Sequence, residues 1–427
     1  MSASLKTQSA SPAQVDALLS PGGIEAWHVR SDFVPLVAVS FIFEGGAAQD
    51  PPGKAGAAQM LARLLDEGAG PYRSDAFQEE LARHAIELSF NAGPDGISGS
   101  LKTLTAHAGE AFELLRLALN APRFDDDAVE RVRAQTIAGL RYQANDPGNV
   151  ATRRFFAEAF PAHPYGNPVS GSVESVASIT RADLVDLHAR VISRQALKIA
   201  VVGAVGPDEL SGRLDQAFSP LPASGRLDPV PDTALAGQGR QIEVDLDVPQ
   251  SVIRFGTVGL SLRDPDFIPA YVLNHMLGGG AFTSRLFQEV REKRGLAYGI
   301  GTSLASYRRA AITWGYTATK NERVAECLEV IASETMRLRQ DGPTDDELSK
   351  AKDYLTGSYP LGFDTSTKIA HQLAQLAFEG LGIDYIKRRN ALVAAVTQDD
   401  VRRAAARTLA DGSMLVVVAG RPNGHSG

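Results

Sequence analysis

The chain has 427 residues, 44% hydrophobic, 22% charged and 7% aromatic, enough for more than one hydrophobic core and too apolar for a disordered chain. Its 43 basic and 50 acidic residues give a net charge of −7 with no clustered Lys/Arg run, which excludes a general nucleic-acid binder with its basic stripe. The single cysteine, Cys327, excludes an intrachain disulfide and a thiolate metal cluster, and the longest apolar runs, residues 34–43 and 414–419, are too short to span a bilayer.

The first twenty residues are polar and rich in Ala and Ser, without the charged-then-apolar order of a secretory leader, so none is expected within this numbering. An apolar strand is expected over 34–43, closing at Gly45. Leu61, Leu64 and Leu65 then place one apolar face on residues 53–70, which predicts a helix. Amphipathic helices are expected at 75–86 and 106–119, and a buried strand at 198–202 stopping at Gly203. Residues 219–241 hold Pro220, Pro222, Pro229 and Pro231 with Gly225, Gly237 and Gly239. They show neither a period of 2 nor one of 3.6 and read as a linker. Beyond it, Thr283 or Ser284 is placed to cap a helix whose apolar side is Leu286, Phe287 and Val290 and which Gly295 stops. A strand over 296–304, helices over 324–340 and 345–356, and a strand over 414–419 ending at Gly420 complete the second half.

The two halves repeat one another, a signal to be sought before any motif. Ile179-Thr180-Arg181-Ala182-Asp183-Leu184 leads through a helix to the strand at 198–202, and Val396-Thr397-Gln398-Asp399-Asp400-Val401 leads to the strand at 414–419. In both, a Thr opens a helix with Asp at its third position, a capping-box-like start. Val34-Pro35, Phe41 and Gly45 are matched by Val248-Pro249, Phe255 and Gly259, and residues 110–127 loosely by 326–347. The chain therefore divides into an N-terminal αβ domain (1–218), a Pro/Gly-rich linker (219–241) and a C-terminal αβ domain (242–427). The fold class is α+β, with helices packed on a mostly antiparallel sheet in each domain.

Local sequence supplies no zinc site, since no two of the eight histidines (28, 84, 107, 163, 188, 275, 371, 425) lie within twenty residues of one another. Asp364, Ser366 and His371 match no nucleophile elbow, and Gly278-Gly279-Gly280 lacks the Gly-Lys-Ser/Thr of a phosphate loop. A close backbone approach or a hinge suits those glycines better.

The segment 53–70, G-K-A-G-A-A-Q-M-L-A-R-L-L-D-E-G-A-G, resembles the zinc-motif region of the pitrilysin and mitochondrial-processing-peptidase family of inverted zinc metallopeptidases. That family carries H-x-x-E-H here. Gln59 stands at the first His, Ala62 at the catalytic Glu and Arg63 at the second His. The family's later zinc-ligand Glu should fall near Ala138-Gly139-Leu140, where no carboxylate occurs from Arg131 to Asn145. Gln is a poor zinc ligand, Arg repels a cation, and Ala cannot act as a base. A second segment, G-G-G-A-F-T-S-R-L-F-Q-E-V-R-E-K-R-G-L-A-Y from Gly278, is similar to the same family's G-G-G-x-x-S-R-L-x-x-x-(L/V)-R-E-x-R-G-L-A-Y. Read alone, Arg291, Lys293 and Arg294 complement a helix C-terminus and Tyr298 packs in a strand. The resemblance instead implies that Arg291 and Tyr298 are a substrate-holding pair, with Arg291 donating to a peptide carbonyl and Tyr298 to a forming oxyanion.

The resemblance covers residues 22–422. It implies two homologous domains forming half of a clamshell, and a non-catalytic, substrate-binding subunit of a heterodimeric zinc metallopeptidase. Such a chain would carry no cofactor, would be inactive alone, and would present Arg291, Tyr298 and the Gly278–Gly280 chamber loop to a zinc site on a homologous partner subunit. Peptides would be its substrates, nucleic acid and membrane insertion are not expected, and family likeness favours the periplasm over the cytoplasm. The alternative is a structural, assembly or peptide-binding homologue without a peptidase role.

Overall fold

The structure, a computed structural model, describes residues 14–195, 197–409 and 413–422. Residues 1–13, on which most of the expectation about a leader rests, and His425 lie outside the described residues. The N-terminal half runs β1 (Asp16–Leu19), β2 (Glu25–Arg30), β3 (Leu36–Glu44), α1 (Ala57–Leu64) and a short hairpin of β4 (Gly68–Ala69) and β5 (Tyr72–Arg73). It continues with α2 (Ser74–Arg83), β6 (Glu87–Ala92), β7 (Gly96–Leu104), α3 (Ala108–Asn120), α4 (Asp126–Gln143) and α5 (Pro147–Ala159). The half ends with α6 (Val173–Ser178), α7 (Arg181–Val191), β8 (Leu197–Gly203) and α8 (Pro207–Phe218). The C-terminal half runs β9 (Gln241–Val244), β10 (Gln250–Val258), α9 (Phe267–Asn274), β11 (Ala297–Ser306), β12 (Ala311–Lys320), α10 (Val324–Asp341) and α11 (Asp345–Ser358). It closes with α12 (Ser366–Phe378), α13 (Tyr385–Ala395), α14 (Gln398–Thr408) and β13 (Leu415–Ala419).

The first sheet has the order β1-β2-β8-β3-β7-β6 and the second β11-β12-β10-β13-β9. Among the described residues, only β2–β8 and β13–β9 are parallel. Read from β2 and from β9, the two sheets repeat strand for strand, with β3 equivalent to β10 and β7 to β12. The equivalence extends to side chains. Phe41 stands opposite Gly99, and Phe255 opposite Gly315. A Cβ on Gly99 would lie 2.2 Å from the Phe41 ring, and one on Gly315 2.3 Å from the Phe255 ring, so each ring crosses its neighbouring strand only because that strand carries glycine there. The repeated Thr/Asp pairs are full capping boxes. Asp183 N–H donates to Thr180 Oγ1 at 3.2 Å and Thr180 N–H to Asp183 Oδ2 at 2.7 Å, and Thr397 and Asp400 repeat the exchange. The α+β class with two homologous αβ domains is the fold observed.

Each sheet has one face on its own half's helices and the other on a helix from the opposite half. Val37, Val39, Phe41 and Phe43 point into the first half's core, while Ala38 and Ile42 point the other way, as strand alternation requires. There they meet Leu373, Ala374 and Phe378 of α12. Reciprocally, Ala151, Phe155 and Ala159 of α5 cover Ile312, Leu415, Val417 and Ala419 of the second sheet. Burial on both faces explains why residues 34–43 read as a continuous apolar run rather than an alternating one.

The segment between the halves has neither helix nor strand, but it is tied down. The buried Gln49 side chain brackets Asp228, donating to its carbonyl at 3.0 Å and accepting its N–H at 2.7 Å. Thr233 N–H donates to Arg309 O and Ala236 N–H to Ala159 O, both at 2.8 Å. A composition typical of a flexible tether here encodes a strap, because the Gln49 side chain and the backbone carbonyls of Ala159 and Arg309 accept N–H groups along its length.

Candidate functional site

Two places carry the residues singled out in the sequence. The first is α1. Gly56 precedes it in a left-handed conformation (φ 100°), and the Asp50 carboxylate accepts the N–H groups of Gly56 at 2.8 Å and Ala58 at 2.7 Å, satisfying two donors at the helix start. Burial pushes the Asp50 carboxyl up to about 7, against those donors. Gln59, Ala62 and Arg63 share one side of the helix at different depths: Ala62 is fully buried, Gln59 half-buried and Arg63 exposed. Arg63 Nη1 donates to Thr136 Oγ1 of α4 at 3.3 Å. Thr136 is itself buried and bonded to Val132 O at 2.8 Å.

Thr136 carries no sequence motif, and the position expected of a carboxylate lies one turn later, at residues 138–140. The signal that finds it is the helical stripe Val132, Thr136 and Leu140, all buried on one face of α4. The donor set of Gln59, Ala62, Arg63 and Thr136 does not fit zinc: it offers one amide, one methyl, one fixed cation and one hydroxyl. Among the described residues, no three His, Cys, Asp or Glu side chains converge as metal ligands.

The second place lies between α9 and β11. The helix expected from residue 284 is a π-helical turn, Phe287–Glu292, preceded by a first π turn at His275–Gly279. Neither proposed cap serves. Ser284 Oγ turns back to Ala281 O at 2.8 Å and Thr283 Oγ1 to Gly280 O at 3.0 Å. The wider i→i+5 turn appears as Lys293 N–H donating to Gln288 O at 3.0 Å. Leu286, Phe287 and Val290 are buried, and Gly295 (φ 57°) ends the segment. Lys293 and Arg294 both bind the buried Glu289 carboxylate, which holds its pKa down, so an ion cluster rather than a helix dipole accounts for them. Cβ atoms on Gly278, Gly279 and Gly280 would lie 2.6 Å from Thr302 Oγ1, 2.6 Å from Asn274 Nδ2 and 2.7 Å from His275 O. Gly278 therefore permits a close backbone approach to β11, and Gly279 and Gly280 a tight fold back onto the end of α9 and the π turn that follows it.

Arg291 leaves the π turn with its guanidinium 4.8 Å from the centre of the Phe287 ring and 4.8 Å from that of Tyr298. Glu292 lies 3.6 Å from its Nε. Tyr298 sits where β11 slips one residue against β12, Ala297 opposing Thr319 and Ile300 opposing Thr317. Bulges of this kind re-aim a side chain, and Tyr298 is left 88% exposed. Thr317 and Thr319 satisfy the irregularity by donating to Gly299 O at 2.9 Å and Leu296 O at 2.6 Å. The structure thus brings Arg291 and Tyr298 into direct contact. Phe282, largely exposed and 5.0 Å centre to centre from Phe287, flanks them and was not foreseen.

Residues 29–173 match the family described as insulinase, peptidase family M16, and residues 178–355 match its peptidase M16 inactive domain. The chain belongs to peptidase family M16. Within this pitrilysin-like family it is a non-catalytic member. An M16 inactive-domain structure from Pseudomonas fluorescens is 25% identical with a TM-score of 0.88, covering 95% of this chain and 98% of that one. A Helicobacter pylori protein described as a non-peptidase homologue, YmxG, is 26% identical over 84% of this chain and 83% of its own length. An uncharacterized zinc protease of Streptomyces coelicolor is 26% identical over 93% of this chain and 88% of its own. M16 relatives thus carry both peptidase and non-peptidase descriptions. Among the described residues, no helix is long and apolar enough to cross a membrane.

Proposed function

We propose that this chain is the substrate-binding, zinc-free subunit of a two-chain M16 metallopeptidase. The observation that carries the reading is the stacking of Arg291 on the ring of a solvent-exposed Tyr298, in a chain whose α1 offers no zinc donor set. The zinc and the general base belong to a homologous partner with an intact H-x-x-E-H. The role of this chain is to close a chamber and hold an unfolded peptide. Stacking on Phe287 and Tyr298 keeps the Arg291 charge oriented while its edge remains free to donate to a peptide carbonyl. Tyr298 is placed to donate to an oxyanion, a contact whose removal costs ~10²–10³ in rate. Among the described residues β11 is paired only through β12, so its outer edge can accept an extended peptide as an added strand.

The test is zinc content and hydrolysis of a quenched-fluorescent peptide library by the purified chain, alone and mixed with an H-x-x-E-H homologue from the same organism. The expected result is no zinc and no cleavage alone, and cleavage on mixing that falls at least tenfold with Arg291→Ala or Tyr298→Phe. Stoichiometric zinc in the lone chain, or mixed activity indifferent to both substitutions, overturns the proposal. The latter outcome would favour a structural or assembly role.

A further inference from the structure

Next to Tyr298, the second sheet and the start of α5 form an open groove of about 660 Å³, lined among others by Arg254, Tyr316, Lys320 and Arg323. The chain as a whole is acidic, yet this groove has three cations and one carboxylate, Asp146. That carboxylate caps α5 by accepting Asn149 N–H at 2.8 Å. Arg323 is matched locally by Glu326 at 2.7 Å. Among the described residues, neither Arg254 nor Lys320 has an ion-pair partner within 4.0 Å.

Arg254 is half-buried on the central strand β10, and its bonds are all to neutral oxygens: Nε to Thr152 Oγ1 at 2.9 Å, Nη1 to Ile253 O at 3.2 Å and Nη2 to Gly148 O at 3.3 Å. A guanidinium has five N–H donors, so three are used and one remains on each terminal nitrogen. Those two can still donate to an anion from the edge of the planar guanidinium fork. The three neutral bonds fix the plane of the fork, which reduces the ordering cost of binding. Burial lowers the Arg254 pKa, and Asp146 and Tyr316 only partly oppose it, as expected of a cation short of compensating charge.

We propose that Arg254 forms a carboxylate-binding subsite beside Tyr298, which receives the anionic group of a bound peptide, with Lys320, four register positions farther along the same groove, adding attraction for the anion. This rests on the reading of the chain as a peptide-holding subunit and adds a substrate class to it: peptides with a carboxylate within one groove length of the segment held by Tyr298. The carboxylate can come from a peptide C-terminus or from an Asp or Glu side chain.

The test is fluorescence-anisotropy titration of the full chain with one labelled peptide in three forms: free C-terminal acid, C-terminal amide, and amide with an internal Glu. The wild-type chain should bind one of the acidic forms about tenfold more tightly than the neutral amide, the scale of a charge-assisted hydrogen-bonded pair. Which form wins identifies the source. Arg254→Gln should abolish that ratio. Because Arg254 also braces α5, Lys320→Gln, which removes no side-chain hydrogen bond or ion pair among the described residues, is the second variant and should reduce the ratio about threefold. Equal binding of all three forms by the wild-type chain overturns the subsite and leaves the peptide-holding reading intact. No binding of any form overturns both.

Discussion

Ala62 shows how one buried position bears on zinc chemistry. Its methyl is completely enclosed in the first core among Met60, Leu61, Leu64 and Leu65, so a carboxylate placed there would lose its water without gaining a partner. We expect the Gln59→His/Ala62→Glu/Arg63→His variant to melt well below the Gln59→His/Arg63→His variant, with a difference of about 2 kcal/mol or more. Thermal unfolding followed by circular dichroism would check it, and equal melting temperatures would show that α1 has room for the acid. Arg63 differs in kind. It is exposed and bonded only to Thr136 among the described residues, and its exposure shows why residue type alone identified it. Thr136 escaped notice because a hydroxyl on a helix face carries no chemical label; only the approach of α4 to α1 gives it a partner.

At the scale of elements, the two π turns distinguish the second site from its surroundings. Nothing in a 3.6-residue period announces a five-residue turn, and the apolar positions Leu286, Phe287 and Val290 suit either helix type. What ties the region to an element far along the chain is one two-pronged ion pair. Arg285, nearly buried, donates through Nε and Nη2 to the Glu347 carboxylate at 2.8 Å each, and Glu347 also closes the capping box of α11 with Thr344. Arg285 holds the Glu347 carboxyl down at about 2 from its ordinary 4.5. A carboxyl depressed in the fold contributes stability that is fully present above pH ~4.5 and is lost as pH falls toward 2. Chemical denaturation between pH 7 and pH 2.5 should therefore show wild-type stability falling through that window. Glu347→Gln should be less stable at pH 7 by about 1 kcal/mol or more, after discounting for partial solvent exposure, and flatter with pH. An unchanged slope would assign the acid sensitivity to other carboxylates, Asp400 first among them.

For the whole molecule, the exchange of α5 and α12 between the halves sets the architecture. Each sheet has a completed core only when the other half supplies a helix, so the domain division at residues 219–241 marks the duplication and not a unit that folds by itself. We expect the two halves, expressed separately with the break in the linker, each to aggregate or bind an apolar dye, and to recover a single sharp melting transition when coexpressed. Two independently soluble, cooperatively melting halves would contradict the interlock. The strap between the halves follows the same logic: Gln49, Arg309 and Ala159 hold it along both halves, keeping their relative placement fixed.

The family, the duplication and the α+β class were legible in the residues, and Arg291 and Tyr298 were singled out through the family resemblance. They rest on local signals: repeated Thr/Asp caps, Phe and Gly at matched offsets, and one long motif. Tertiary structure alone decided the rest. The bulge that turns Tyr298 outward depends on register against β12, the partner of Arg63 on the approach of α4, and the unmatched charge of Arg254 on how far α5 reaches across the second sheet. These are relations between segments distant in sequence. Periodicity and residue type describe a segment by itself and carry no information about which oxygen or cation another segment brings within 3 Å.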